Sequence, residues 1–359
     1  MDIDVLTRQT SRLGIDLATL MEPVRAQVEA ALSGLGGHHR RRVCIVGDGD
    51  SYHAGCAAET AFELIGDVIC EPQPAQRFLS YHVDTLPKAP GDSLIVLVSA
   101  SGRTERVLEA AAAARDRGLV AIAVTGNADS PLALAADASV DVSLPEPEPS
   151  PGIRTYQASL LALLLLAVQL SAHTGSEATA QELCAELVAL ATTVSATEQA
   201  LRGPCEALGH ALSDAPVIGV LGTGPSEGTA KYGAAKLVEG AGVMAFGQDL
   251  EEWCHVERFA GPLDMPLVIV APSGKSQRRA RDVALRAATL GRRVIILLPQ
   301  DDEPLFAAGL QVLPIPGSVR EPFSPLVYHL FAGHLAAGLA RHLGRRPFQS
   351  HRPTGPAKA

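Results

Sequence analysis

The run Ser99-Ala100-Ser101-Gly102-Arg103-Thr104 places three hydroxyls and a glycine where an apolar strand-like run gives way to a helical pattern. A helix start offers unpaired N–H groups and partial positive charge, hydroxyls donate further hydrogen bonds, and glycine lets the backbone approach closely. Together these suit a dianionic phosphate. An earlier loop, Gly47-Asp48-Gly49-Asp50-Ser51-Tyr52, also follows an apolar run, and its Ser51 is placed to complete the cradle. The same residue types serve as plain helix N-caps. Neither loop is a GxGxxG with an acidic partner at the right distance, so the loops alone leave both readings open.

The elements that must position these loops form a long-period repeat. Three apolar runs begin at Val43, Leu94 and Val120, and three more at Val217, Leu267 and Val294, so the steps are 51 and 26 early and 50 and 27 late. A weaker fourth run follows in each half, Val140–Leu144 and then Gln311–Ile315. Helical patterns over Arg106–Arg117 and Gln277–Leu290 correspond, and each half closes on a long apolar helix, Tyr156–Ala172 and Pro325–Leu343. Continuous β-branched runs alternating with helices predict parallel sheets covered on both faces. The expected fold class is therefore α/β, two tandem doubly wound parallel-sheet domains with helices on both faces. The expected divisions are an N-terminal helical segment over 1–40, a first domain over 41–175, a helical linker over 176–213, a second domain over 214–344 and a tail over 345–359. In such sheets ligands bind beyond the carboxyl ends of the strands, where both loops fall. The late counterparts, Gly222–Ser226 and Ala271-Pro272-Ser273-Gly274-Lys275-Ser276, carry fewer hydroxyls, and Pro272 lacks a donor N–H. One binding copy and one supporting copy are expected.

Composition narrows the classes. The 359 residues are 47% hydrophobic and 19% charged, with net charge −9. Such a chain has a large core and no broad electrostatic reason to bind nucleic acid. The basic run His38–Arg42 reads as a solvated lead-in to a strand. The six cysteines form no CxxC pair, so neither a metal site nor a disulfide framework is expected, and no cofactor is called for. The start Met1-Asp2-Ile3-Asp4 has no secretory pattern, and the apolar run Leu160–Leu170 is shorter than the ~20 residues of a membrane span. A cytoplasmic location without membrane contact follows.

The loops and the repeat together resemble tandem SIS (sugar isomerase) domains, over about residues 40–345, and in particular the isomerase portion of glucosamine-6-phosphate synthase with its stand-alone deglycase and deaminase relatives. Ser99–Thr104 is similar to that family's phosphate loop, with Ala100 where a Gln is often found. Gly49-Asp50-Ser51-Tyr52 is similar to its Gly-Thr-Ser-Tyr turn, and Arg154-Thr155-Tyr156 sits where the family opens its long helix. The resemblance implies phosphate binding by Ser51, Ser99, Ala100, Ser101 and Thr104, and substrate contacts from Gly49, Asp50 and Arg154. Ala235-Lys236-Leu237-Val238-Glu239 resembles the family's Leu-Lys-Leu-Lys-Glu helix, whose Glu moves a proton between C1 and C2. Sixteen residues on, Glu252-Trp253-Cys254-His255 resembles Glu-Leu-Lys-His, whose His serves ring opening. The implied catalytic set is Glu239, His255, Glu252 and Lys236. The chemistry is coherent in itself, since aldose–ketose interconversion needs a carboxylate base and a second group near neutrality.

Three departures from the family pattern refine the expectation. Nothing resembling a glutaminase precedes the repeat, so glutamine-fed amination is not expected. His255-Val256-Glu257 replaces His-Gly-Pro. The closing stretch Pro347–Arg352 holds no lysine for a Schiff base, Lys358 lying further on and His351 being the other tail candidate. The expected function is an aldose–ketose isomerase of a phosphosugar or phospho-aminosugar, or a deaminase or deglycase, with a larger-substrate biosynthetic isomerase also open. The alternative is a sugar-phosphate-binding regulator without catalysis, though no helix-turn-helix is apparent. By analogy the chain forms a homodimer or higher homo-oligomer, the family's ring-opening His coming from a neighbouring subunit.

Overall fold

The computed structural model describes residues 1–35, 40–87, 92–174 and 177–348. His38, His39 and the tail from Gln349 onward, including His351 and Lys358, lie outside the described residues. A short opening helix, Val5–Ser11, leads into α1, Leu13–Gly34. The first sheet comprises β1 (Arg42–Gly47), β2 (Ile69–Pro74), β3 (Ser93–Val98), β4 (Val120–Thr125) and β5 (Ala138–Asp141), in the order β2-β1-β3-β4-β5. All its pairings are parallel. Between these strands lie α2 (Asp50–Leu64) and α3 (Glu105–Asp116), and α4 (Arg154–Thr174) follows them. The 35-residue α5, Glu177–Ala211, leads to the second half.

There β6 (Ile218–Gly222), β7 (Ala245–Asp249), β8 (Pro266–Val270), β9 (Arg293–Pro299) and β10 (Leu310–Ile315) repeat the pattern as β10-β9-β8-β6-β7, again parallel. The helices are α6 (Pro225–Ala241), α7 (Leu250–His255), α8 (Gln277–Thr289) and α9 (Leu330–Leu343). In both halves the first strand lies between the second and the third. The chain therefore reverses direction across each sheet between strands one and three, and the loops after those strands flank the switch point.

The structure has five strands per half, against four runs in the sequence. The missed ones are β2 and β7, one of the two edge strands of each sheet. Pro72 and Pro74 sit in β2, and every residue of β7 is only half-buried, so neither gives a continuous apolar run. The apolar run Leu160–Leu170 is also part of a longer helix than expected. The window Arg154–Ala172 is long and apolar enough to cross a membrane by length and composition, and 83% of it is buried inside the protein. It is a core helix. One large core joins both sheets through α1, α2, α4, α5, α6 and α9, while smaller cores cover each sheet's outer face.

Candidate active site

The cradle forms at the carboxyl end of β3. Gly102 has φ +62°, and a Cβ there would lie 2.1 Å from Ser130 Oγ and 2.8 Å from Thr125 Oγ1, so only glycine fits. Ser99 is buried and its Oγ lies 2.9 Å from Thr104 Oγ1. Ser101 is exposed, and its Oγ accepts from the Arg103 N–H at 3.2 Å. Ala100 contributes its carbonyl to Gly126 N–H at 3.0 Å. Thr104 occupies the N-cap of α3, yet its side chain makes no capping hydrogen bond. Capping by Thr104 thus fails to explain its hydroxyl, and the first N–H groups of α3 keep no side-chain cap.

The neighbouring loop behaves alike. Gly49 (φ 54°, ψ −126°) precedes α2 and offers no side-chain cap. Ser51 packs under Gly47, where a Cβ would lie 2.7 Å from Ser51 Cβ and 3.1 Å from the Val98 carbonyl. This places Ser51 beside the end of β3, where the cradle starts.

The second domain's equivalent loop is filled from within. Lys275 N–H, the counterpart of Arg103 N–H, donates to both oxygens of Glu321 at 3.1 Å. A Cβ on Gly274 would collide with that carboxylate at 2.1–2.6 Å. The loop at this place in the second sheet therefore holds an anion, with a backbone that differs from the first at Gly274, which lacks the positive φ of Gly102. In the first domain no described carboxylate fills the loop, and the hydroxyls stand there instead.

Asp50 opens α2, and its carboxylate turns to the other domain. Lys236 Nζ, with no exposed side-chain surface, donates to Asp50 Oδ2 at 2.6 Å and also pairs with Glu239 Oε2. Lys236 and Glu239 lie three residues apart on one face of α6. Burial raises the Asp50 carboxyl to about 6, with Lys236 pulling it down and Glu239 pushing it up. Asp50 Oδ1 is buried without a hydrogen-bond partner. His53, one turn along, lies 4.0 Å from that oxygen, and burial with the Lys236 and Lys231 charges lowers it to about 4. His53, Lys231, Val238 and Glu239 line a hollow of 290 Å³. Behind Lys236, Tyr156 and Tyr232 stack at 3.7 Å with buried hydroxyls that have no partner among the described residues. Sequence reasoning missed His53 and this tyrosine pair, although the i,i+3 spacing of Asp50 and His53 on a helix was visible.

Arg154, expected to contact substrate, is engaged within the protein. Its guanidinium is buried and donates to Asp16 Oδ2 (2.5 Å), Asp16 Oδ1 (2.7 Å) and the carbonyls of Glu146 and Pro145. It fastens α1 to α4 and has no free face for a substrate. Within the single chain, the other two residues expected at the site, Glu252 and His255, make no contact with Glu239 among the described residues. Glu252 is exposed in the first turn of α7, its N–H capped by Asp249 Oδ1 at 3.3 Å. The His255 side chain is 70% exposed and, among the described residues, pairs with Glu251 at 3.5 Å.

Comparison with known proteins places the first half of the chain. Residues 38–169 match the SIS domain. The first domain is an SIS domain. The second repeats the topology of the SIS domain and pairs with it in tandem. Glutamine–fructose-6-phosphate aminotransferase [isomerizing] of Pseudomonas syringae pv. tomato is 27% identical over 291 residues, covering 80% of this chain and 47% of that protein. The Thermococcus kodakarensis protein of the same name is 28% identical over 309 residues, covering 82% and 49%. The chain thus spans about half the length of the curated relatives it matches. Among solved structures, the C-terminal domain of glucosamine-fructose-6-phosphate aminotransferase from Francisella tularensis superposes with TM-score 0.85 at 19% identity, covering 96% of this chain and 98% of that one. Tagatose-6-phosphate ketose/aldose isomerase from Escherichia coli gives 0.75 at 16%, covering 99% and 97%. These structures share the tandem SIS fold.

Proposed function

We propose that the chain binds a phosphorylated sugar, its phosphate on Ser51 and the loop Ser99–Thr104, and interconverts aldose and ketose forms. The observation that carries this reading is the contrast between the two loops: one holds the protein's own carboxylate, the other presents hydroxyls and uncapped N–H groups to an anion from outside. Bound there, the sugar extends past Asp50 towards the Lys236–Glu239 pair. Glu239 then takes the proton from one carbon and returns it to its neighbour. Lys236 holds both carboxylates in place and offers positive charge to the developing enediolate. His53, Asp50 and Glu239 are the ionisable groups this chain brings to the hollow.

His255 enters this reading from a second copy of the chain. The segment after it exposes Val256, Phe259 and Leu263, at 58%, 72% and 66%, a surface suited to contact with such a copy. A second reading, a phosphosugar binder without turnover, draws on the distance of His255 from Glu239 within one chain. The variant Glu239→Gln separates the two. Turnover of a phosphosugar, followed by C2 proton exchange in heavy water, should fall by about 10²–10⁴-fold while ligand-induced thermal stabilisation persists. Unchanged turnover in the variant removes Glu239 as the base, and binding with no exchange in the wild type favours the second reading.

A further inference from the structure

Away from the loops, on the outer face of the first sheet, three side chains of metal-ligating type converge. Cys44 on β1 and Glu71 on β2 are direct partners in the parallel register. His82 comes over them from a wide helical turn, Phe78–His82. Cys44 Sγ lies 3.4 Å from His82 Nε2 and 3.9 Å from Glu71 Oε2, and His82 Nε2 lies 3.5 Å from Glu71 Oε2. Tetrahedral Zn²⁺, with bonds of about 2.3 Å to sulfur and 2.0–2.2 Å to nitrogen and oxygen, sets its donors roughly 3.4–3.6 Å apart. Two of the three separations match one face of such a tetrahedron, and the third, Cys44 Sγ to Glu71 Oε2 at 3.9 Å, needs to close by about 0.3 Å.

From this geometry we infer that Cys44, Glu71 and His82 form a divalent transition-metal site whose best-suited occupant is Zn²⁺. A thiolate, an imidazole and a carboxylate are the donor types zinc accepts, and hard Mg²⁺ or Ca²⁺ does not take sulfur. The cysteine is fully buried, while the Glu71 and His82 side chains are 28% and 15% exposed, which leaves a way in and an open fourth position for water. Arg42 pairs with the same Glu71 Oε2; on metal binding it would have to share that oxygen or pass to Oε1, and there become the outer partner that orients the carboxylate. Two residues along β2, on the same face as Glu71, Gln73 is 7% exposed and its Oε1 has no hydrogen-bond partner. The ion would fasten the edge strand β2 and the turn after it to β1. The site shares no residue with the phosphate loop or the Lys236 cluster and stands independently of the proposed reaction.

The test is a Co²⁺ titration of the full chain after stripping with a chelator, followed by competition with Zn²⁺. One equivalent of Co²⁺ should bind with a thiolate-to-metal charge-transfer band, and Zn²⁺ should abolish the band. Cys44→Ala should lack it, and Glu71→Gln and His82→Gln should weaken Co²⁺ binding by at least tenfold, the lower bound already seen for outer-shell losses. Circular dichroism and the metal-free unfolding midpoint report whether each variant folds; His82→Gln, at a partly exposed turn, keeps the test open if the buried Cys44→Ala does not. Overturning results are Co²⁺ uptake without a thiolate band, as the exposed His210–His342 pair would give, or a band that survives unchanged in a folded His82→Gln chain.

Discussion

At the scale of single residues, the site turns on a lysine shared between two carboxylates from different domains. Asp50 is held with its carboxyl raised to about 6 because burial outweighs the Lys236 attraction. Its usual value is 3.8, so between about pH 4 and 6 the folded chain keeps a proton that the unfolded chain has lost. Stability owed to this group is therefore greatest below that window and falls as pH rises through it. Asp50→Asn lacks this titration. Melting curves from pH 4 to 7 should show the wild type losing stability relative to Asp50→Asn as pH rises, with the change complete just above pH 6. A constant difference across the range would mean that Asp50 titrates normally. Little of this was legible beforehand. Glu239 and Lys236 were reached only through a resemblance, and their link to Asp50 spans 186 positions, which no local spacing reveals. The hydroxyl loop was legible because its residue types and its place after an apolar run are local facts.

At the scale of elements, duplication makes its own control. The loops after β3 and β8 occupy the same place in their sheets, but their backbones differ at Gly102 (φ +62°) and Gly274, and Glu321 fills the second. Ser99→Ala and Thr104→Ala should each weaken phosphosugar binding by about tenfold to a hundredfold, the value of a hydrogen bond to a charged group. Ser273→Ala and Ser276→Ala should leave it unchanged in the same calorimetric titration; equal losses in both loops would remove the asymmetry from the argument. The Arg154–Asp16 pair is a second element-level device, with both side chains 1% exposed. Removing one partner strands a buried charge, so Asp16→Ala should cost about 3–5 kcal/mol in chemical unfolding. A cost below 1 kcal/mol would show that α1 holds to α4 without it. The strands at the centre of each sheet were legible because full burial on both faces demands continuous apolar runs. The edge strands β2 and β7 were not, since half-burial admits Pro72, Pro74 and Gln248; the edge strands β5 and β10 showed only as weak runs. The engagement of Arg154 was hidden for a related reason: an arginine opening a helix looks the same in sequence whether it faces a ligand or an aspartate 138 residues away.

At the scale of the molecule, the catalytic reading depends on how closely the two domains meet, because Asp50 belongs to one and Lys236 and Glu239 to the other. The crossing of α2 over α6 sets that distance. A Cβ on Gly228 would lie 2.2 Å from the Ala57 nitrogen and 2.5 Å from its Cα, backbone atoms that cannot swing aside. Gly228→Ala must therefore push the helices apart, at a cost of about 1–3 kcal/mol for overpacking. It should also stretch the Lys236–Asp50 contact two turns further along α6. Gly203, within α5, has nothing within 4 Å of its Cβ position apart from its chain neighbours, but Pro204 follows it and disfavours a Cβ on a helical residue before it; this offsets the helix-propensity gain of about 1 kcal/mol, so Gly203→Ala should leave stability nearly unchanged. The expected pattern is a lower melting temperature and lower turnover for Gly228→Ala, with phosphate binding retained because the loop Ser99–Thr104 lies wholly in the first domain. Gly203→Ala should leave both turnover and binding intact. If Gly228→Ala instead kept full turnover, the Asp50–Lys236 link would be a structural brace between domains, and Glu239 would work without it.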